Sequence, residues 1–197
     1  MALAGEVAVD LAVRGLTLTG TRVSGLRLPG AAFEELELAD VVWEDCDLAG
    51  ATLEGAVLRR VEFRRCRLSG AVAAGIVAAD VRFVDCRADD GWFRMARLER
   101  CGFEDCDLAA SDWYDARLQD TRFVRCRLDG AELSKATLRE VALHGSSLAD
   151  LRGAGALRNL VIAGDQLLDV AVALFPALRI RVDDDYLADP PTGTGGR

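Results

Sequence analysis

The sequence predicts a solenoid that winds in four short sides per turn. Three observations predict it: a five-residue apolar period that keeps register through most of the chain, a twenty-residue period laid over it, and the loss of both after Asp150. Reading every fifth residue from Ala8 gives Val13, Leu18, Val23, Leu28, Phe33, Leu38, Trp43 and Leu48, and the series runs on to Leu148 with small residues at Ala73, Ala78 and Ala88. Two residues ahead of the centres the side chain is mostly small or compact, as at Ala31, Val41, Cys46, Ala51, Ala56, Val61 and Cys66, which makes a second inward position. A period of five fits neither the 3.6 of a helix nor the 2.0 of a strand, so each pentad is one side of a turning coil. Trp43, Phe63, Phe83, Phe103 and Phe123 recur at 20, as do Cys46, Cys66, Cys86, Cys106 and Cys126. Residues 20 apart therefore stack in columns, and four sides close a square.

Taken in order, the first pentads, Leu11 to Gly15 and Leu16 to Gly20, put Leu where later coils put Ala or Cys, which suits a bulkier closing rung. Residues 1–150 hold 30 pentads, a rod roughly 36 Å long at about 4.8 Å per coil. Residues 151–182 read as a capping segment. Within it Leu157 to Ile162 is a last strand, Gly164 to Phe175 a helix with Asp165 as N-cap and Pro176 near its end, and Arg179 to Val182 a short strand. Residues 183–197, with Asp183 to Asp185 and a Pro/Gly-rich end, read as a loose tail. The helix is apolar on nearly every side, more than capping one end of a rod requires.

The pentads Cys46-Asp-Leu-Ala-Gly50, Ala51-Thr-Leu-Glu-Gly55 and Cys126-Arg-Leu-Asp-Gly130 resemble the pentapeptide-repeat family, and the resemblance covers roughly residues 6–150 without a pentad inserted or lost. It implies an all-β solenoid, a right-handed quadrilateral β-helix of about 7 coils with a short C-terminal α-helical cap. Its quinolone-resistance members imply more: a homodimer joined through the C-terminal helix, here Leu167, Leu168, Val170, Ala171, Leu174 and Phe175, and binding to DNA gyrase or topoisomerase IV by resembling duplex DNA.

Composition narrows the chemistry. A formal net charge of −8 with one lysine, Lys135, argues against direct binding to nucleic acid or an anionic membrane. No apolar run approaches the ~20 residues of a membrane span, and residues 1–13 lack the basic start of a secretory signal, so a cytoplasmic protein with reduced thiols is expected. The single histidine, His144, follows a centre and faces outward; all six cysteines hold the small inward position and none forms C-x-x-C. Gly153-Ala-Gly155 lacks the third glycine of a dinucleotide fingerprint. The expectation is no catalysis, no cofactor and no metal.

Function then falls to the outside of the rod. The faces centred on Trp43/Phe63 and on Leu38/Leu58 balance their charges, whereas the faces of Leu48/Leu68 and Phe33/Leu53 are acidic and share an edge. Fourteen acids on these two faces give about one per 2.6 Å of rod, or about one net charge per 5 Å, against one per ~1.7 Å in duplex DNA. Asp89, Asp90, Asp107 and Asp129 carry the partial DNA mimicry that would protect gyrase from inhibitors. An alternative reading rests on Trp92, Arg94, Met95, Asp112, Tyr114 and Asp115, where adjacent coils bring hot-spot residue types together on one aromatic and acidic face of a rigid scaffold that would bind another protein.

Overall fold

The computed structural model describes residues 11–182. The chain forms a parallel β-solenoid of about 8 turns, and its pairing repeats at 20 residues: Trp43 lies against Phe63, Phe63 against Phe83, Phe83 against Phe103, and Phe103 against Phe123. Two sides of each turn carry ladder strands, mostly three residues long and merged into eight at Glu37–Glu44 and Val57–Arg64. The other two sides touch the next coil through single bridges such as Asp47 to Arg67 and Thr52 to Val72. These sides end in tight turns closed by one bond, Ala51 N–H to Leu48 C=O at 3.0 Å and Ala56 N–H to Leu53 C=O at 3.1 Å.

Both inward positions are buried from Leu28 to Leu151, and they leave inside the coil only a gap of about 10 Å³ between residues such as Phe33, Trp43 and Phe63. Leu48, Leu108 and Trp113 are at most 2% exposed, so each contributes the roughly 1.5–3 kcal/mol of a fully buried large side chain. Phe63, Phe83, Phe103 and Phe123 stack at centroid spacings of 4.9, 4.7 and 4.9 Å. A second stack, Phe93 on Trp113 at 4.3 Å, meets the first edge-on at Phe103 and Phe123. The Trp113 indole N–H donates to Ser111 Oγ at 2.8 Å, whereas that of Trp43, which has Val41 in the equivalent place, has no acceptor.

Corners require a left-handed residue, and many are not glycine. Asp40, Arg60, Asp80, Arg100, Asp120 and Glu140 form one such column, with φ from +49° to +58°. Aspartate tolerates this region better than most residues. The arginines are explained by their neighbours, since Arg60 forks onto Asp40 at 2.6 and 2.7 Å, and Arg100 onto Asp80 at 2.7 and 3.0 Å.

The C-terminal end departs from the sequence reading in three ways. The last strand is only Leu160–Val161, and it pairs with Val141 and Ala142 at a spacing of 19 rather than 20. The helix, α1, spans Leu167–Ala177 and includes Pro176; Gly164–Gln166 is a 3-10 turn, and Asp165 makes no cap bond. The Arg179 to Val182 stretch is not a strand, because its start is taken up in the turn that closes α1, with Ile180 N–H bonded to Phe175 C=O at 2.9 Å.

Gln166, not Asp165, closes the rod. Its buried amide donates to the carbonyl of Ser146 and to that of Leu143, which also accepts Ser146 N–H at 3.3 Å, while its Oε1 accepts Ala163 N–H at 2.8 Å. Val170 and Ala173 of α1 lie against the coil, while Leu167, Leu168 and Val172 are bare. The expected tail and the acids Glu6 and Asp10 lie outside the described residues.

Candidate docking surface

The Phe93–Trp113 stack inside the coil fixes the two pentads whose outward residues form the densest aromatic patch. Within each pentad the second, fourth and fifth residues point outward, so Trp92, Arg94 and Met95 sit one coil from Asp112, Tyr114 and Asp115, with Glu132 and Lys135 one coil beyond. Trp92 and Met95 are each 54% exposed. The Arg94 guanidinium lies 5.7 Å from the Trp92 ring centroid and 5.8 Å from that of Tyr114, and Lys135 Nζ lies 5.0 Å above Tyr114 on the next coil.

The result is a diagonal stack of ring, cation, ring, cation, each member within cation–π range of the next. Asp112 braces it, accepting from Arg94 Nε at 2.7 Å and from Tyr114 N–H at 2.9 Å. Asp112 is therefore a strut rather than a free charge, and of the two aspartates expected at this patch only Asp115 is exposed. Sequence reasoning counted Lys135 as a charge of this face but did not join it to the aromatic patch, although its place in the Asp115 column was readable.

The acidic stripe is largely spent within the molecule. Asp107 takes a fork from Arg127 at 2.9 and 2.6 Å and the Ala109 N–H at 3.2 Å. Burial alone would push its pKa up, yet the Arg127 bond and that N–H outweigh it and hold the carboxyl below its usual range. Asp89 accepts from Ser69 Oγ at 2.6 Å, and Asp129 from Ala149 N–H at 3.0 Å. Only Asp90 of the four stands exposed without such a bond among the described residues. Arginine columns repeat this elsewhere, with Arg65 on Asp45 and Arg125 on Asp105, both at 2.7 Å.

His144 is exposed and all six cysteines are buried, as their register requires. The sulfurs donate to backbone carbonyls one coil back, for example Cys66 to Trp43 at 3.5 Å and Cys86 to Phe63 at 3.4 Å. Among the described residues no group of three or more His, Cys, Asp or Glu could hold a metal ion, and no helix is long and apolar enough to cross a membrane.

Family models for a pentapeptide repeat region and for pentapeptide repeats in eight copies match residues 96–156 and 43–73. None of the curated proteins matches. Among solved structures, full-length QnrB1, a plasmid-mediated fluoroquinolone resistance protein, is 21% identical and covers 89% of this chain and 100% of its own, with a TM-score of 0.45. A trypsin-treated variant of it is 23% identical over 93% and 99%, with a TM-score of 0.47. HetL, a pentapeptide repeat protein involved in heterocyst differentiation regulation from the cyanobacterium Nostoc sp. strain PCC 7120, is 16% identical over 78% and 87%, with a TM-score of 0.36.

Proposed function

We propose that this chain, a pentapeptide-repeat protein, is a non-enzymatic docking rod that offers a protein partner one prearranged contact, the Trp92–Arg94–Tyr114–Lys135 stack. The observation that carries the reading is that these side chains are half exposed yet already fixed by one another and by Asp112. Ordering such side chains normally costs about 0.5–1.5 kcal/mol apiece on binding, and here most of that cost is met by folding. Trp, Tyr and Arg are also the types that dominate binding energy at interfaces.

DNA gyrase or another type II topoisomerase, the partner the pentad resemblance implies, is the first to test. Partial DNA mimicry is the second mode, and Asp90 with the exposed Asp115 supports it. A supercoiling assay with purified gyrase, with and without a quinolone, separates the modes. The docking stack predicts that Trp92→Ala and Tyr114→Ala abolish the effect while salt changes it little. Mimicry predicts steep loss with salt and with charge reversal at Asp89, Asp90, Asp107 and Asp129. No effect of the wild-type protein on supercoiling or drug action removes gyrase as the partner.

A second copy of the chain is the occupant we assign to the bare side of α1. Leu168 and Val172 are 73% and 57% exposed, and Leu178 and Ile180 extend the apolar surface past the helix end. Of the six residues expected at a dimer contact, Leu167 and Leu168 are free for it, Ala171, Leu174 and Phe175 are half buried, and Val170 is turned to the coil.

A further inference from the structure

On the side of the rod opposite the aromatic stack, the outward column beside the phenylalanine ladder runs Arg82, Gly102, Arg122. Gly102 opens the strand Gly102–Glu104 and pairs directly with Arg82 on one side and Arg122 on the other. Its φ is not left-handed, and a Cβ built on it meets nothing within 4 Å. Neither backbone shape nor crowding accounts for glycine there. Glycine weakens a strand, and where it persists it commonly marks a close approach by something else. Its effect here is to open a groove of about 450 Å³, walled by Val84 and Val124 and flanked by the two arginines.

The charges lining the groove are unequal, three arginines (Arg82, Arg100, Arg122) against two carboxylates (Glu104, Asp120). Arg100 is occupied by Asp80 and Glu99, and Glu104 by Arg125 at 2.7 Å. Arg82 approaches Glu62 and Glu104 only at 3.9 and 3.7 Å, and Arg122 has no carboxylate within ion-pair range among the described residues. Asp120, at the rim, meets only the Gln119 amide at 3.5 Å and the neighbouring Glu140 carboxyl. Among the described residues Arg122 is therefore unpaired and Arg82 is held only by two long ion pairs, and both face Asp120, a carboxylate that no arginine holds. The Cα atoms of Arg82 and Arg122 stand about 9.6 Å apart, two coil spacings, close enough for both long side chains to reach a group seated over Gly102.

We infer that the Gly102 notch is a docking subsite for a carboxylate side chain of a protein partner, held between the Arg82 and Arg122 guanidinium groups. One surplus positive charge suits a monoanion, the planar guanidinium fork matches a carboxylate, and the open groove admits a side chain carried on its backbone. The subsite is independent of the aromatic stack, so the rod could hold two partners on opposite sides.

The test is a backbone amide NMR titration of the full chain with three probes: the peptide acetyl-Gly-Glu-Gly-amide, its Gln analogue, and inorganic phosphate. The Glu peptide should shift Gly102 and its neighbours saturably and the Gln peptide should not. Arg122→Gln should weaken that binding about tenfold, the size of one lost charged hydrogen bond, and Gly102→Leu should abolish it. If Gly102→Leu fails to fold, the exposed Arg122→Gln and Arg82→Gln variants carry the test. Equal binding by these variants, binding of phosphate but not of the Glu peptide, or no shift at Gly102 would each overturn the subsite.

Discussion

Corner residues decide much of this molecule one side chain at a time. In the column Asp40, Arg60, Asp80, Arg100, Asp120, Glu140, alternation of sign holds until the last step, where two carboxyls stack. Hydrogen bonding to the arginines lowers the pKa of Asp40 and Asp80, whereas the Asp120 carboxyl raises that of Glu140. The signs follow: the depressed aspartates stabilise the fold at neutral pH and lose that contribution as pH falls through their folded values, while Glu140 strains it at neutral pH and is relieved on acidification. Glu140→Arg should extend the alternation and raise the melting temperature at pH 7, with a smaller gain at pH 4; a lower melting temperature at pH 7 would refute the ladder account. Five of the six thiols shift upward, and only Cys66, hydrogen-bonded to the sulfurs of Cys46 and Cys86, shifts down. Burial pushes Cys101 up to about 11, and Cys46 and Cys126 are raised by the adjacent sulfur first and by burial second. A thiol reagent at pH 8 should label native protein orders of magnitude more slowly than unfolded protein, read by mass.

Elements show which parts of the fold were legible in the sequence. Each coil side was readable because a five-residue period with two inward positions leaves no alternative register, and the aromatic ladder followed from the twenty-residue recurrence. Phe83→Ala removes the middle of that ladder and should cost about 3–5 kcal/mol in chemical denaturation; an unchanged midpoint would contradict the stacking. The end of the rod was harder. Asp165 matched the familiar preference for a cap, but what the last coil needs is a donor, for the Ser146 carbonyl above all, and the two N–H groups of Gln166 reach both Ser146 and Leu143 where an aspartate could donate to neither. Gln166→Leu should therefore cost about 2–4 kcal/mol and expose the end first to hydrogen exchange. The candidate surface was half legible. Register placed Trp92, Arg94 and Tyr114 together, but the internal use of Asp107 and Asp112 depends on side-chain reach, which no periodicity encodes.

At the scale of the whole molecule, each coil is stabilised by its neighbours, so the ends control behaviour out of proportion to their size. If α1 joins two rods, Leu168→Glu should halve the mass found by light scattering while the melting temperature barely moves, because that side chain is bare within one chain. A wild-type protein that is monomeric at high concentration would remove the second-copy assignment.

The step from 20 to 19 residues at Val141 and Leu160 reaches further than the end it trims. A parallel ladder with a constant repeat is a template for its own continuation, and two such rods laid end to end would extend without limit, as fibres do. By shifting the final strand one residue out of phase and bonding Gln166 to the Leu143 and Ser146 carbonyls, the chain ends in an edge that no longer matches its own repeat. The irregular rung thus works against strand-by-strand extension of the ladder at this end.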